Sequence, residues 1–216
     1  MFEGFSERTI DFLWGIRFNN NRAWFQAHKQ EYEATLYRPM VALAEAVDSR
    51  FRLEGTRLKA SRIYRDVRYA PVPYKDYLWF VIRDDSDYWS EHPSLFFQIE
   101  PEGGQYGFIH FAPKASLMAA HRRELLAHPD RFSGMMDSVL ASGAFQDKST
   151  RYKRPKEGEV PGLSPWYQMK NCYVGTDIPV GPELFSRDLP DRLAEAFRAL
   201  TPLYQYFHAL ETQETP

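Results

Sequence analysis

A chain of 216 residues, of which 44% are hydrophobic and 16% aromatic, can bury one hydrophobic core, and we expect a single domain over residues 1–216. The net charge of −2 lacks the strong positive field that sequence-independent nucleic-acid binding uses. No apolar run approaches the roughly 20 residues that a membrane-spanning helix needs, so we expect no membrane partner. The one cysteine, Cys172, excludes an internal disulfide. Together with an N-terminus that lacks a secretion signal, it predicts a soluble cytoplasmic protein.

The first quarter of the chain has the apolar spacing of helices. From Ser6 to Gly15 apolar residues recur at helical intervals, with Ser6 as a plausible N-cap. A polar run then interrupts the pattern, and an Asn caps a second helix. A third helix starts at Pro39 and is predicted to end at Gly55.

The segments after Gly55 have the composition of strands, because aromatic and β-branched residues dominate them. Between the last two of them, Glu102-Gly103-Gly104 is a hairpin signal, so we expect an antiparallel sheet. The predicted strands are Leu58–Tyr64, Tyr77–Arg83, Ser94–Glu100 and Gln105–Phe111.

Helical periodicity returns in the second half of the chain. Two helices, Ala115–Ala127 and Pro129–Ala141, are split by His128-Pro129. A Lys, Gly and Pro-rich loop at 146–165, a late strand at Met169–Val174 and a long closing helix at Leu189–Glu211 follow. This order predicts an α+β fold, with N-terminal helices, a central antiparallel sheet, and further helices packed on it that include a long C-terminal helix.

The segment from Arg62 to Lys75 is the most informative motif, because it carries arginines at spacing three among aromatic residues. The guanidinium group of arginine forms bidentate hydrogen bonds with the oxygen atoms of a phosphate or carboxylate group. If the chain turns at Asp66, the side chains of Arg65, Arg68 and Lys75 meet around one pocket. An extended strand instead separates the arginines onto two faces. The alternative is an Arg–Asp ion pair that pins the turn to a neighbouring helix.

A second basic run, residues 148–156, holds five Lys and Arg and no acidic residue. It includes Arg151, Lys153 and Arg154, with Tyr152 between the charges. A solvated loop is the plain interpretation of this composition, and a flap over an anionic ligand is the functional one. Contacts to a phosphate backbone fit it equally.

Three ionisable residues are weak candidates for proton transfer. His121 lies on the apolar stripe of the Ala115–Ala127 helix, where a hydrogen-bonded core histidine is the commoner case, and its neighbour Arg122 is placed to reach the same pocket. His110 and Glu100 lie in the two predicted strands of the hairpin and form an acid–base pair if the strand register brings them face to face.

No metal and no cofactor are predicted from the sequence. Asp84 to Asp87, followed by Glu91 and His92, supply enough oxygen atoms for a hard cation but lack the spacing of a calcium loop, so a solvated turn is favoured. No Cys/His set has zinc spacing. Cys172 has no histidine near it in sequence, so a buried strand thiol is expected.

Several motifs together resemble DUF2461, a family of uncharacterised bacterial proteins, over nearly the whole chain. The matching motifs are Phe12-Leu13, Asn20 to Phe25, Arg65 to Tyr69, Pro73 to Lys75, Leu117 to Arg122, Arg151 to Pro155, and Lys170. The resemblance implies a fold and a site location and no reaction. In this chain the loop Tyr69-Ala70-Pro71-Val72 is shorter than the family's and lacks its further Ser and Lys residues.

The leading hypothesis is a pocket of Arg62, Arg65, Arg68, Lys75 and Arg122 that binds a small phosphorylated or carboxylated compound. If the protein is an enzyme, His121 or Glu100 carries the proton. One alternative is a nucleic-acid or polyanion module in which Tyr69, Tyr152 or Trp166 stack on bases. Another is a protein-interaction module that uses exposed aromatic residues. The candidate ligand-binding residues are Arg62, Arg65, Asp66, Arg68, Tyr74, Lys75, Arg122, Arg151, Lys153 and Arg154.

Overall fold

Helices form the first quarter of the chain, as the apolar spacing predicts. The computed structural model describes residues 1–66, 68, 70–85, 89–158, 160 and 162–214, with the backbone alone at 89, 213 and 214. A π-helical turn, which the apolar spacing does not reveal, joins the last two of these helices. The N-terminal elements are α1 (Glu7–Phe18), α2 (Arg22–Ala27), α3 (Lys29–Glu31), the π-helical turn Tyr32–Tyr37 and α4 (Arg38–Arg50).

Polar side chains fix the starts of α1 and α2. The Ser6 backbone N–H donates to the Thr9 hydroxyl at 3.1 Å, and that hydroxyl donates to the Thr35 carbonyl at 2.7 Å. The predicted Asn cap of the second helix is confirmed, because the Asn21 side chain accepts from the Trp24 backbone N–H at 3.0 Å. Such caps satisfy backbone donors that have no partner within the helix.

The strands pair in one six-stranded antiparallel sheet, in the order β1-β2-β3-β4-β6-β5. The strand β5 has only two residues, too few to show a periodicity, and the sequence places a loop there. It pairs antiparallel with β6, with Gln146 opposite Gly175. The strands are β1 (Arg57–Ala60), β2 (Leu78–Arg83), β3 (Ser94–Glu100), β4 (Gly103–His110), β5 (Gln146–Asp147) and β6 (Cys172–Pro179).

The central strands are buried on both faces. Every residue of β2 except Trp79 is buried, and β3 is buried except at Gln98 and Glu100. Successive strand side chains point to opposite faces, so burial of consecutive residues means that both faces are covered. With the helices of the second half, the fold is α+β, as predicted. These helices are α5 (Ala115–Ala127), α6 (Pro129–Ala141), α7 (Ser164–Tyr167), α8 (Pro182–Phe185) and α9 (Leu189–Glu214).

The residues group into two compact units, each with an aromatic core. In the first unit the Phe97 ring packs against Phe80 at 5.8 Å between centroids, and in the second Phe132 packs against Tyr206 at 5.0 Å. The single domain stays a prediction. The first unit comprises Met1–Ile82, Phe96–Tyr106 and Asp177–Glu195; the second comprises Arg83–Leu95, Gly107–Thr176 and Ala196–Pro216. Over the described residues, no helix is both long enough and apolar enough to cross a membrane.

Gly107 of β4 lies where a side chain does not fit. A Cβ atom added there would lie 2.2 Å from the Val174 carbonyl oxygen, whereas one added at Gly134 in α6 would meet nothing within 4 Å. We expect Gly107→Ala to lower the free energy of unfolding by about 1–3 kcal/mol, because the strands must separate. Gly134→Ala should raise it by up to about 1 kcal/mol. Urea denaturation measures both, and a Gly107→Ala protein as stable as wild type would contradict this packing.

Candidate functional site

The chain reverses direction around Asp66 in the first unit. Tyr64 forms an isolated antiparallel bridge with Tyr74, and the Arg65 backbone N–H donates to the Pro73 carbonyl at 2.9 Å. The strand β1 already ends at Ala60, so the extended-strand alternative for this segment does not occur. The turn places the side chains of the motif on a short irregular connection between β1 and β2.

Asp66 orients an arginine, and that arginine is Arg68. Its Oδ1 atom accepts from the Arg68 backbone N–H at 3.1 Å, and its Oδ2 atom accepts from Arg68 Nη2 at 2.6 Å. Hydrogen bonds from the Arg68 side chain, then from its backbone, lower the pKa of Asp66. Both residues are exposed, so the pair contributes little to stability. Val67 and Tyr69, the latter a proposed stacking residue, lie outside the described residues.

Asp76, which the sequence did not single out, connects the motif to α1. Arg65 Nη2 lies 3.2 Å from Asp76 Oδ1, and Arg17 Nε on α1 donates to Asp76 Oδ2 at 2.6 Å. Arg17 also pairs with Glu102. Arg65 is held further by its Nε atom, which donates to the Tyr74 carbonyl at 2.9 Å. The motif therefore contains an ion pair to a neighbouring helix, made through Asp76 rather than Asp66.

Lys75 lies beside Arg65 in the same turn. Its Nζ atom donates to the Arg62 carbonyl at 2.8 Å and lies 5.6 Å from the centre of the Trp79 ring. Burial, and then the positive charge of Arg65, lower the pKa of Lys75. The Arg62 side chain is exposed. Arg65 and Lys75 are thus two partly buried cations that act on each other.

Tyr74 is part of the frame beneath these cations. Its ring is buried and stacks on Phe25 with 4.2 Å between ring centroids. The Asn20 side chain holds its backbone from both sides, donating to the Tyr74 carbonyl at 3.0 Å and accepting from its N–H at 3.1 Å. Glu100 also lies in this unit, where burial and then the charge of Glu102 raise the pKa of its carboxyl group.

A surface cavity of about 510 Å³ lies elsewhere in the first unit, where α4 ends and β1 begins. Its lining mixes acidic and basic side chains, among them Glu45, Asp48, Arg52 and Arg57. Arg62, Arg65 and Lys75 do not line it. The arginine motif is therefore an open surface of ordered cations rather than the wall of this cavity.

His121 is a fully buried, doubly hydrogen-bonded ring in the second unit. Its Nε2 atom lies 3.2 Å from the Trp166 carbonyl oxygen, which can only accept, so Nε2 carries the proton. Its Nδ1 atom therefore accepts from the Tyr206 hydroxyl at 2.9 Å. Burial lowers the pKa of His121 to about 4, so the ring is neutral near pH 7. The edge-to-face contact with Phe132, at 4.7 Å between centroids, completes the environment of a core histidine.

Arg122, next to His121 on α5, faces aromatic rings of the second unit. Its guanidinium carbon lies 5.9 Å from the ring centres of both Tyr152 and Tyr167. Lys156 approaches Tyr152 at 4.7 Å from its ring centre, so two cations contact the same ring. These are cation–π contacts, which hold the basic run against α5.

The rest of the 148–156 run divides into an anchored and a solvated part. Arg151 pairs with Asp147 of β5 and forms an isolated antiparallel bridge with Met169. Lys153 and Arg154 are exposed. Their exposure is what the flap interpretation requires.

A cluster of histidines and carboxylates lies in the second unit, and two of its members, Asp84 and His92, were named from the sequence, but not the cluster itself. One possible ligand atom each from Asp84, His208 and Glu211 lies within 4.8 Å of the others. The His92 Nδ1 atom lies 3.2 Å from Glu211 Oε2 and 3.7 Å from Asp84 Oδ2. Burial raises the pKa of Glu211 to about 6, against the hydrogen bond from His92.

His110 is the buried neighbour of this cluster. Its Nε2 atom lies 2.6 Å from the Glu91 carbonyl oxygen, to which it donates, and 3.5 Å from Glu211 Oε1. Burial lowers the pKa of His110 to about 4, so it too is neutral near pH 7. Among the described residues, its Nδ1 atom has no hydrogen-bond partner.

The cluster was missed because its members are far apart in the sequence. His92 and Glu211, for example, are 119 positions apart. The available signal was the spacing of His208 and Glu211 on the predicted closing helix, since residues three apart share a helix face. Of the predicted turn at Asp84 to Asp87, residues 86 and 87 lie outside the described residues.

A comparison with protein-family models identifies a family. The model of the family DUF2461, described as a conserved hypothetical protein, matches residues 8–206. None of the curated proteins matches this chain.

The burial of His121 predicts a pH dependence of stability. The pKa of about 4 in the folded protein lies below the ordinary value of 6.5. The neutral ring therefore makes its full contribution to the free energy of unfolding above pH 6.5, and this contribution is lost as the pH falls towards 4. The loss is about 3 kcal/mol in the free energy of unfolding. In His121→Gln the fall in stability between pH 6.5 and 5 should be shallower than in wild type, although His110 still contributes. Urea denaturation across this range measures it, with exposed His128→Gln as control, and equal slopes in all three proteins would refute it.

Proposed function

Because the chain belongs to the DUF2461 family, whose description names no activity, we propose a function from geometry: the first unit binds a small phosphorylated or carboxylated compound. The binding residues are Arg62, Arg65 and Lys75, which together we name the basic turn. One observation carries the proposal. Arg65 and Lys75 are partly buried cations of one turn, held by the Tyr74 and Arg62 carbonyls, and burial, then the charge of Arg65, lower the pKa of Lys75.

A structural ion pair does not need two adjacent cations. Asp76 accepts from both Arg17 and Arg65, and Arg17 also pairs with Glu102, so these two carboxylates are already engaged. Lys75 has the Arg62 carbonyl as its hydrogen-bond acceptor, and its pKa is lowered in spite of the neighbouring Asp76. Positive charge therefore remains in excess at the basic turn.

An anion placed between Arg65 and Lys75 removes this repulsion. Phosphate and carboxylate oxygens accept from arginine and lysine in short, charge-assisted hydrogen bonds. The pKa of Lys75 rises when such an anion binds, because the charged amine then gains a partner of opposite sign. The ligand class follows from the donors, which match any small compound that presents a phosphate or carboxylate group.

The basic turn is pre-organised for such a ligand. The Arg65 guanidinium is fixed by the Tyr74 carbonyl and lies 5.6 Å from the centre of the Tyr77 ring. The Lys75 amine is fixed by the Arg62 carbonyl. Cations that are already ordered lose less conformational entropy on binding, which favours affinity.

A second candidate function is polyanion binding along the edge of the sheet. The outermost strand, β1, exposes Arg57 and Lys59, and the exposed Arg62 and the half-exposed ring of Tyr64 follow them. Such a row of cations with an aromatic ring suits an extended phosphate backbone. Steep dependence of oligonucleotide affinity on salt concentration distinguishes this function from binding of a small anion.

The proposed compartment is the cytoplasm. Cys172 is a free, buried thiol, and burial raises its pKa far above the ordinary range. A thiol in this state is protected from oxidation and suits a reducing environment.

Binding is tested by thermal shift at low salt, in the presence of a chelator, with inorganic phosphate, nucleotides, small dicarboxylates and a short oligonucleotide. At about 100 times its dissociation constant, a ligand stabilises the fold by about 2.7 kcal/mol, which raises Tm by about 5–10 °C. Lys75→Met should abolish this shift and leave the fold intact, because it removes a half-buried charge beside Arg65. Exposed Lys29→Met is the matched control and should keep the shift. The proposal fails if no compound shifts wild type, or if Lys75→Met responds as wild type does.

A further inference from the structure

The histidine and carboxylate cluster of the second unit has the donor set of a metal site. On α9, His208 and Glu211 are three residues apart and share a helix face, and Asp84 directly follows β2. We propose that Asp84, His208 and Glu211 bind one divalent transition-metal ion. Their ligand atoms lie within 4.8 Å of one another. Tetrahedral coordination at about 2.1 Å needs them about 3.4 Å apart, so the widest pair must approach by at most about 1.4 Å.

The state of the His208 ring is an independent observation for the site. Its Nδ1 atom is buried and, among the described residues, has no hydrogen-bond partner. A buried polar atom without a partner costs free energy, which native structures seldom tolerate without a reason. Imidazole nitrogen is the commonest metal ligand in proteins, and coordination at this ring supplies what the protein does not.

One further histidine holds Glu211 in place, and a second lies beside it. The His92 Nδ1 atom lies 3.2 Å from Glu211 Oε2, and the His110 Nε2 atom lies 3.5 Å from Glu211 Oε1. His110 is completely buried, and its Nδ1 atom has no partner within the described part of the chain. Outer partners of this kind orient carboxylate ligands and fix their free oxygen atoms. His92 is also 3.7 Å from Asp84, so it lies beside both carboxylates of the cluster.

The donor types select the class of metal. One imidazole and two carboxylates suit Zn²⁺, Mn²⁺ or Fe²⁺. Ca²⁺ takes six to eight oxygen ligands, which this set does not supply. Three protein ligands leave a coordination position open to water or to a substrate, as in catalytic metal sites.

The competing explanation is an ion-pair cluster without a metal. Arg83 Nη1 lies 3.6 Å from Asp84 Oδ1, and a protonated His92 balances Glu211. In that case the carboxylates are neutralised by protein groups, and the His208 nitrogen has no role. The two explanations differ in whether a metal binds with a defined stoichiometry and in whether His208 is needed for it. Neither involves the basic turn, so this test is independent of the proposed function.

The experiment uses the full chain after chelator treatment and dialysis. Zn²⁺ and Mn²⁺ binding are measured by calorimetry, and Mn²⁺ also by electron paramagnetic resonance. We expect one ion per chain in wild type and at least tenfold weaker binding in His208→Gln, Glu211→Gln and Asp84→Asn, which keep the side-chain volume nearly constant. His128→Gln, which changes an exposed histidine, should bind within twofold of wild type. Circular dichroism confirms that each variant is folded.

A second measurement needs no variant and decides the matter if the substitutions unfold the protein. In wild type, bound Mn²⁺ should broaden the imidazole nuclear magnetic resonance signals of His208 and His92. The signals of His128, which makes no contact with the cluster in the described part of the chain, should be broadened less than these two. Absence of stoichiometric metal binding, or binding that neither involves the His208 ring nor depends on the three ligands, would overturn the proposal.

Discussion

Burial of β2 on both faces is the constraint on which the rest of the structure depends. Leu78, Phe80, Val81 and Ile82 are each exposed by 3% or less. Since successive side chains point to opposite faces, a strand of this kind has no face on which charges are solvated. Charged residues are therefore concentrated in the segments on either side of it. The basic turn precedes β2. The segment from Asp84 to His92 follows β2 and begins with the first carboxylate of the histidine and carboxylate cluster. The basic turn and the segment that begins at Asp84 are thus the connections before and after β2, and connections of this kind often carry function.

The elements that the sequence predicted best are those with strong local signals. The bounds of β3, α5 and α6 match the prediction, since aromatic and β-branched residues dominate β3, helical apolar spacing runs through α5 and α6, and Pro129 starts a new helix. The strand β5 was missed because its pairing with β6 is set by the partner strand rather than by its own two residues. At the sites too, contacts between residues far apart in the sequence leave no local signal. The motif from Arg62 to Lys75 is visible locally, whereas the pairing of Arg65 with Arg17 through Asp76 depends on a helix that lies far away in sequence.

The two candidate sites use charge in opposite ways. In the basic turn, carboxylates neutralise Arg17 and part of Arg65, and positive charge remains at Lys75. In the histidine and carboxylate cluster, Asp84 and Glu211 converge with the rings of His92 and His208, a donor set that would suit a cation. Arrangements of like charge cost stability in the free protein, and they persist at functional sites because a ligand removes the cost. In the two proposals, an anion would do so for the basic turn and a divalent cation for the histidine and carboxylate cluster.

The central claim is that the positive charge of the basic turn is uncompensated until an anion binds. The most direct test is the pKa of Lys75, measured by nuclear magnetic resonance of its side chain during a pH titration. The account predicts a value below 10.5 in the free protein, since burial and Arg65 both disfavour the charged amine, and a rise when phosphate or a carboxylate ligand is added. The exposed Lys29 should titrate identically with and without the ligand. A Lys75 pKa at or above 10.5 that no anion alters would show that the turn is already neutralised from within, and would contradict the account.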